Sequence, residues 1–383
     1  MTRVMNIISD TNFGGAGRVI LNYLRYADRE QFEPLAALPR GSALKGPLEE
    51  AGARVYEVDG IADRSWSRAD VKALRALLQE VKPDLVHTHG CLSGRVAARS
   101  CRIPVVYSRH STFPVSPLLR YPPGRWVNKL VNELFADRII AVSPASRDNL
   151  VQAGVSPRKI TVVMNGTAPV PRTPEEERAA LREELDIPAG AVVFGILARL
   201  EDYKGHLYLL EAAKLLRDRG RTGFVVLAAG EGPFEEELDR ALVETGTEDQ
   251  VRLLGFRSDV PQLLNILDVQ LNCSYGTEAT SMALLEGMSL GLPTIASGYG
   301  GNPWVVKDGE TGLIFPSQDP EALSAAMERL MDHPEEREAM GRKARALYES
   351  TFTGEAFARN TENIYLDILK GAKSWNRKNS ACD

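Results

Sequence analysis

Short apolar runs alternate with longer amphipathic segments along most of the chain. In the first half, Val4–Ile8, Val55–Val58, Leu85–His87, Pro104–Tyr107 and Ile139–Val142 are brief and apolar, the pattern of buried parallel strands. Between them lie helix-length segments such as Ala69–Val81, where Val71, Leu74, Leu77, Leu78 and Val81 recur at helical spacing. The second half repeats the plan. Val192–Leu197, Phe224–Ala228, Val251–Leu254, Val269–Leu271 and Pro293–Ala296 read as strands, with helices such as His206–Arg217 and Ala279–Leu290 between them. Alternation of this kind means stacked βαβ units, so the expected fold class is α/β with two doubly wound, parallel-sheet domains. The stretch Asn165–Pro174 (NGTAPVPRTP), with three prolines and an Asn-Gly turn, separates them. The expected domains are therefore 1–168 and 169–352. Residues 353–383 are expected to form a C-terminal helix that crosses back to the first domain, with Trp375–Asp383 as a frayed tail.

Composition agrees with this plan. A chain of 383 residues with 44% hydrophobic and 25% charged residues has the size and balance of two globular domains. Its longest stretch free of strongly polar residues, Ile187 to Ala198, falls well short of the ~20 residues that span a bilayer. The N-terminus enters an apolar run directly, without the pattern of a secretory signal, and the four cysteines form no CxxC pair. Both features suit a cytoplasmic protein. The net charge of −5 conceals an asymmetry. Residues 1–165 carry 23 Lys/Arg against 15 Asp/Glu, whereas residues 166–383 carry 23 against 36. Two domains with different partners would produce such a split, as would drift of surface composition.

In open α/β sheets, ligands bind outside the carboxyl ends of the strands, so the residues just after each strand matter most. After VQLNCS, Glu278 and Glu286 stand eight residues apart across the start of a predicted helix. Eight helical steps cover about 12 Å, which resembles the span from a sugar across a diphosphate to a ribose. A helix N-terminus between them offers free N–H groups to an anion. After VVFGIL, Arg199 and Lys204 place two cations at the same edge, where a diphosphate leaving group gathers charge. Taken singly, each of these is also an ordinary surface charge.

In this order and on these elements, the chain resembles the retaining family 4 glycosyltransferases of the GT-B fold. The resemblance rests on Gly14-Gly15-Ala16-Gly17-Arg18, His110 in VVYSRHS, Ser143, Asn165-Gly166, Arg199 with Lys204, and Gly230-Glu231-Gly232-Pro233. It continues through Glu278 with Glu286 and Gly300-Gly301 followed by GETGLIF. It implies two Rossmann-like domains facing across a cleft, and transfer of a sugar from a nucleotide sugar to a hydroxyl acceptor in polysaccharide or glycolipid synthesis. Arg199 and Lys204 would hold the diphosphate, and Glu286 the ribose. Glu278 with Ala279, Thr280 and Ser281 would face the sugar, while Phe256 and Arg257 would lie near the base. His110 would contact the sugar at the reaction centre. Gly15 would approach the donor, and Gly14, Gly15, Gly17, His89 and Arg109 would line the acceptor side. A UDP-sugar is the expected donor, with no cofactor or metal required. Three positions depart from the pattern: Ala279-Thr280-Ser281 replaces a Gly-aromatic-Gly turn, Trp304 stands where a Glu is common, and Gly17 where many relatives carry Glu.

Other functions find less support. His87 and His89 alternate on one strand as a candidate metal pair, but no third ligand pattern lies near. No D-x-D tripeptide occurs for a metal-held diphosphate. A dinucleotide fingerprint fails at Ile20, where its third glycine belongs. A nucleotide-sugar epimerase of the same architecture, or a sugar-nucleotide-binding protein without transfer activity, remains as the alternative. Between Arg109 and Lys129, Arg120 and Arg125 mix with Phe113, Tyr121 and Trp126, without an acidic residue until Glu133. This stretch suits an anionic membrane surface or lipid-linked acceptor, unless its aromatics are packed inside. Nucleic acid is not an expected partner.

Overall fold

The computed structural model describes residues 1–379, with side chains described through Gly371. The chain divides into two compact units, residues 1–166 with the C-terminal segment from 354, and residues 167–353. The first boundary falls two residues before the expected 168. Thr167 already belongs to the second unit: its N–H donates to the Phe352 carbonyl (3.0 Å), and its own carbonyl accepts from the Tyr348 hydroxyl (2.8 Å).

The first unit holds β1 (Thr2–Ile8), β2 (Phe32–Pro39), β3 (Arg54–Val58), β4 (Leu85–His89), β5 (Val105–Arg109), β6 (Arg138–Ala141) and β7 (Ile160–Val162). They form one sheet in the order β3-β2-β1-β4-β5-β6-β7, every observed pairing parallel. The second unit holds β8 (Val192–Leu197), β9 (Phe224–Ala229), β10 (Val251–Leu253), β11 (Val269–Asn272), β12 (Thr294–Ser297) and β13 (Gly312–Phe315), in the order β10-β9-β8-β11-β12-β13. Both are the doubly wound order, with a switch point where the direction of winding reverses: between β1 and β4, and between β8 and β11.

Strand β9 shows why these runs are apolar throughout. Phe224, Val226 and Ala228 enter one core, and Val225, Leu227 and Ala229 the other, so the sheet is covered on both faces. Strands β2, β7 and β13 have no counterpart in the sequence reading. In FEPLAALP, Ala, Pro and Leu are weak strand formers, and the segment extends because it is buried between β1 and β3.

Helices follow local signals more closely. In Arg68–Val81, the Ser67 hydroxyl accepts from the Ala69 N–H (3.2 Å), Asp70 lies in the first turn, and Leu74, Leu78 and Val81 are buried. The helix expected over Ala279–Leu290 instead starts at Met282, which leaves Glu278 in a loop. The long helix Gly354–Asn379 packs on Gly15–Tyr26, and it continues through Trp375 where a frayed tail was expected; residues 380–383, with Cys382, lie outside the described residues. Its Tyr365 is wholly buried, edge-on to Tyr23 and Phe32 at 5.9 Å each, and within 2.6 Å of His87 Nδ1. Among the described residues, no helix is long and apolar enough to cross a membrane.

Replacing Tyr365 with Ala is expected to destabilise the first unit by about 3 kcal/mol or more, because it opens a large cavity and strips His87 of a partner. Denaturant unfolding of the full chain followed by fluorescence checks this; an unchanged first-unit transition would contradict the packing role.

Candidate active site

In the second unit, the sequence-expected residues converge on the β8/β11 switch point. The segment after β8 carries Arg199 and Lys204, then a left-handed turn at Gly205 (φ +77°) that opens the helix His206–Asp218. A Cβ on Gly205 would sit 2.1 Å from the Cys273 carbonyl oxygen, so the glycine lets this segment rest directly on the backbone that follows β11. Lys204 thereby reaches Glu278. Its Nζ donates to Glu278 Oε2 at 2.9 Å, and the same oxygen accepts from Asn272 Nδ2 (3.3 Å) and Ser274 Oγ (3.2 Å).

Glu278 is only 6% exposed, so it is neither a surface charge nor a helix residue. The 12 Å helical spacing to Glu286 does not apply, because the loop folds Glu278 back beneath Lys204. A buried carboxylate needs a cation and hydrogen-bond donors, and this one has both. The loop is held from behind by Gly300 and Gly301. The Gly301 N–H donates to the Glu278 carbonyl (2.8 Å), and a Cβ on Gly301 would lie 1.7 Å from the Ala279 carbonyl oxygen. Asn302 Nδ2 adds donors to Asn272 Oδ1 (3.3 Å) and Ser297 Oγ (3.2 Å). Asn272, Ser274, Ser297 and Asn302 were missed by the sequence reading. Their one signal was Asn272, a polar residue interrupting the apolar strand VQLNC.

The remaining second-unit residues are arranged more loosely. Arg199 is 70% exposed at its side chain, with Glu201 at 2.7 Å. Ala279 and Thr280 are buried, Ser281 is half-buried, and Glu286 is half-buried within the helix Met282–Leu290. Arg257 is held by Asp259 (2.6 Å) and Glu184 (3.3 Å), and its hydrogen bonds to Asp259 raise its pKa further. Neighbouring Phe256 is exposed, as is Trp304.

In the first unit, histidines cluster at the β1/β4 switch point. His89 ends β4, and its Nδ1 lies 2.8 Å from Nε2 of His110, just after β5. Asn6 Oδ1 of β1 lies 3.3 Å from His89 Nε2. His87, one pleat back, contacts Tyr365 and Ser108. Burial pushes the pKa of His87 down to about 3 and that of His110 to about 4, and His89 also falls well below its ordinary value; neighbouring histidines or Arg109 add repulsion. These imidazoles are neutral at pH 7, and among the described residues no group of three His, Cys, Asp or Glu could hold a metal ion.

Arg109 Nε donates to the Ser111 carbonyl (3.1 Å). Gly14 precedes the helix Gly15–Tyr26, and a Cβ on Gly14 or Gly15 would meet open space. Gly17 differs: it is buried, and a Cβ there would lie 2.3 Å from Leu44 Cδ2. Gly17 therefore packs against the Leu44 side chain near the start of this helix.

Two Rossmann-like sheets, each with polar groups gathered at its switch point, are the architecture of the GT-B fold. Comparison with known proteins gives the family. The model for Glycosyl transferases group 1 matches residues 177–347, and that for Glycosyltransferase Family 4 matches residues 13–169. A D-inositol 3-phosphate glycosyltransferase of Kineococcus radiotolerans is 32% identical over 310 residues, covering 74% of this chain and 71% of the relative. The Escherichia coli UDP-Gal:alpha-D-GlcNAc-diphosphoundecaprenol alpha-1,3-galactosyltransferase is 29% identical over 83% of this chain and 85% of its own. Among solved structures, HepE of Anabaena in complex with UDP superposes with a TM-score of 0.82 at 23% identity, covering 96% of this chain and all of that one, a likeness of fold. The chain belongs to the family 4 glycosyltransferases. It is an enzyme that transfers sugar from a nucleotide sugar in glycoconjugate synthesis, and the epimerase and binding-protein alternatives are not favoured.

The buried histidines make stability depend on pH. The unfolded chain takes up protons on these rings near pH 6.5, whereas the folded chain resists until about pH 4 or below, so the unfolded state binds more protons between these values. Stability is therefore retained above pH 6.5 and lost as pH falls toward 4. A thermal midpoint that declines over this window checks the sign; a flat profile would contradict neutral burial.

Proposed function

We propose that the second unit binds the nucleotide sugar through Arg199 and Lys204 on the diphosphate and Glu286 on the ribose hydroxyls. Glu278 and the Ala279–Ser281 backbone face the transferred sugar, and Phe256 and Arg257 lie toward the base. On the first unit, His110 contacts the sugar at the reaction centre, with Gly14, Gly15, Gly17, His89 and Arg109 toward the acceptor. A UDP-linked hexose is the donor, transfer retains configuration, and the acceptor is a saccharide or lipid-linked hydroxyl.

The observation that carries this reading is the Lys204–Glu278 pair at the switch point, ahead of the helix Met282–Leu290. As the glycosidic bond breaks, negative charge builds on the diphosphate. A fixed ammonium, a guanidinium and helix N–H groups favour that charge without reorganising. Glu278 keeps Lys204 oriented, while its own burial prevents the ammonium from folding away into solvent. Two cations at this edge take the part that a divalent metal plays where a D-x-D motif holds one, so the reaction proceeds without metal.

Lys204→Met is expected to lower kcat/KM by about 100-fold or more, and Glu286→Gln to raise the donor KM by about tenfold. Because Lys204→Met leaves the Glu278 carboxylate buried without its cation, Arg199→Met serves as the variant that leaves the buried pair intact. Full activity in these variants would overturn the assignment, and loss of transfer on chelation would overturn the metal-free reading. Thermal-shift titration with UDP-, GDP- and ADP-sugars identifies the nucleotide, since a bound ligand raises the midpoint.

The first unit further supports docking on the anionic inner face of the cell membrane. The helix Gly124–Phe135 is turned inside out. Asn128 and Asn132 face the protein, bonding the Ala153 carbonyl (2.8 Å) and Arg95 (2.9 Å), while Trp126, Val127, Leu130 and Leu134 are exposed. Trp126 is 67% exposed, so the aromatics of this stretch are not packed inside. Arg125 and Lys129 line a groove of about 310 Å³ beside the apolar stripe, a combination suited to lipid headgroups over acyl chains. Wild-type protein is expected to float with vesicles containing phosphatidylglycerol and not with phosphatidylcholine alone. Trp126→Ser with Leu130→Ser should abolish flotation and spare transfer to a water-soluble acceptor; equal flotation of both proteins would sink the proposal.

A further inference from the structure

The contacts around His110 fix which of its two nitrogens carries the proton. The hydrogen-bond chain starts at a group with no choice. The Leu35 carbonyl can only accept, and Asn6 Nδ2 donates to it at 3.3 Å. The other end of that amide, Oδ1, must then accept, so His89 Nε2, 3.3 Å away, carries a proton and donates. His89 is neutral, so its Nδ1 is a bare acceptor. His110 Nε2, 2.8 Å from that atom, must in turn carry a proton. His110 is neutral as well, which leaves its Nδ1 without a hydrogen. That Nδ1 is buried and has no hydrogen-bond partner among the described residues.

Reversing any link places two acceptors or two donors against one another. A flipped Asn6 amide would set its oxygen against the Leu35 oxygen. Asn6 and His89 are 1% and 5% exposed, so water does not compete for these contacts. Rings of His89 and His110 lie nearly parallel, 13° apart with centroids at 5.1 Å, and the stack limits rotation of either.

We infer that Asn6 and His89 are positioning residues that hold His110 as the Nε2–H tautomer, which leaves Nδ1 as a hydrogen-bond acceptor. A substrate group that meets this nitrogen must bring a proton, as a hydroxyl does and a phosphate or carboxylate oxygen does not. This rests on the proposal that His110 faces substrate, but the tautomer does not, and can be measured on the protein alone.

The test uses the full chain labelled with 15N in its histidines. Long-range 1H–15N spectra at pH 7.5 are expected to show His110, assigned by its loss in His110→Gln, with a pyrrole-like Nε2 and a pyridine-like Nδ1. Asn6→Leu removes the anchor and should give His110 averaged shifts of both tautomers. Asn6→Asp sets a carboxylate against the Leu35 carbonyl and favours a second proton on His89, whose Nδ1 would then donate to His110 Nε2, so His110 should move toward the Nδ1–H tautomer. Transfer kinetics follow: kcat/KM falls about three- to tenfold in both variants. A wild-type His110 protonated on Nδ1, or a tautomer unchanged in Asn6→Leu, overturns the inference. If Asn6→Leu does not fold, the wild-type spectrum and the shift toward Nδ1–H in Asn6→Asp decide the tautomer. A confirmed tautomer with unaltered kinetics in every variant that folds would instead count against His110 as a substrate contact, and with it the claim of hydroxyl recognition.

Discussion

A carboxylate taken out of water must be given a cation, and the second unit is organised around that requirement. Glu278 lies in the loop that follows β11, where Lys204, Asn272 and Ser274 compensate its charge. To supply Lys204, the segment after β8 must cross to the segment after β11 and touch its backbone, which is why a glycine in the left-handed region stands at 205. To supply Asn272, a central strand must end in a polar residue, which Asn302, itself bonded to Ser297, then holds in place. The switch point of the sheet, the two glycine contacts and the polar strand end are thus parts of one electrostatic solution.

The first unit meets the opposite problem at its own switch point. There the buried polar groups are neutral, and their order comes from hydrogen-bond direction. A chain that begins at a backbone carbonyl and passes through Asn6, His89 and His110 has one consistent arrangement of protons. Burial keeps the rings uncharged, and neutrality is what makes the direction unique, since a protonated ring would donate from both nitrogens. The C-terminal helix closes the same cluster from its far side through Tyr365 and His87. Of the basic excess before residue 166, Arg125 and Lys129 lie on the outward helix Gly124–Phe135.

Much of this was readable along the chain. A parallel strand buried on both faces must be apolar at every position, so its runs stand out, and the residues that follow them can be named in advance. Arg199, Lys204, Glu278, His89 and His110 were found in this way. Strand β2 was not, because FEPLAALP has neither alternation nor β-branched residues, and only its neighbours make it a strand. Glu278 was identified as a residue but misplaced as a structure. Helical periodicity extends back to Ala279, whereas the ion pair with Lys204 requires a loop until Met282.

The alternation of elements, the two-domain plan, the family resemblance and the chemical types at the strand ends are legible along the chain, since each is written in spacing and residue identity. Tertiary structure alone decided how those groups pair. Lys204 and Glu278 are 74 residues apart, Asn6 and His89 are 83, and His87 and Tyr365 are 278. Pairing across such separations depends on which strands become neighbours, and no local pattern encodes that. It also decided that Trp126 and Leu130 face outward on a helix whose asparagines face in. The sequence states which groups are present; burial determines which of them must meet.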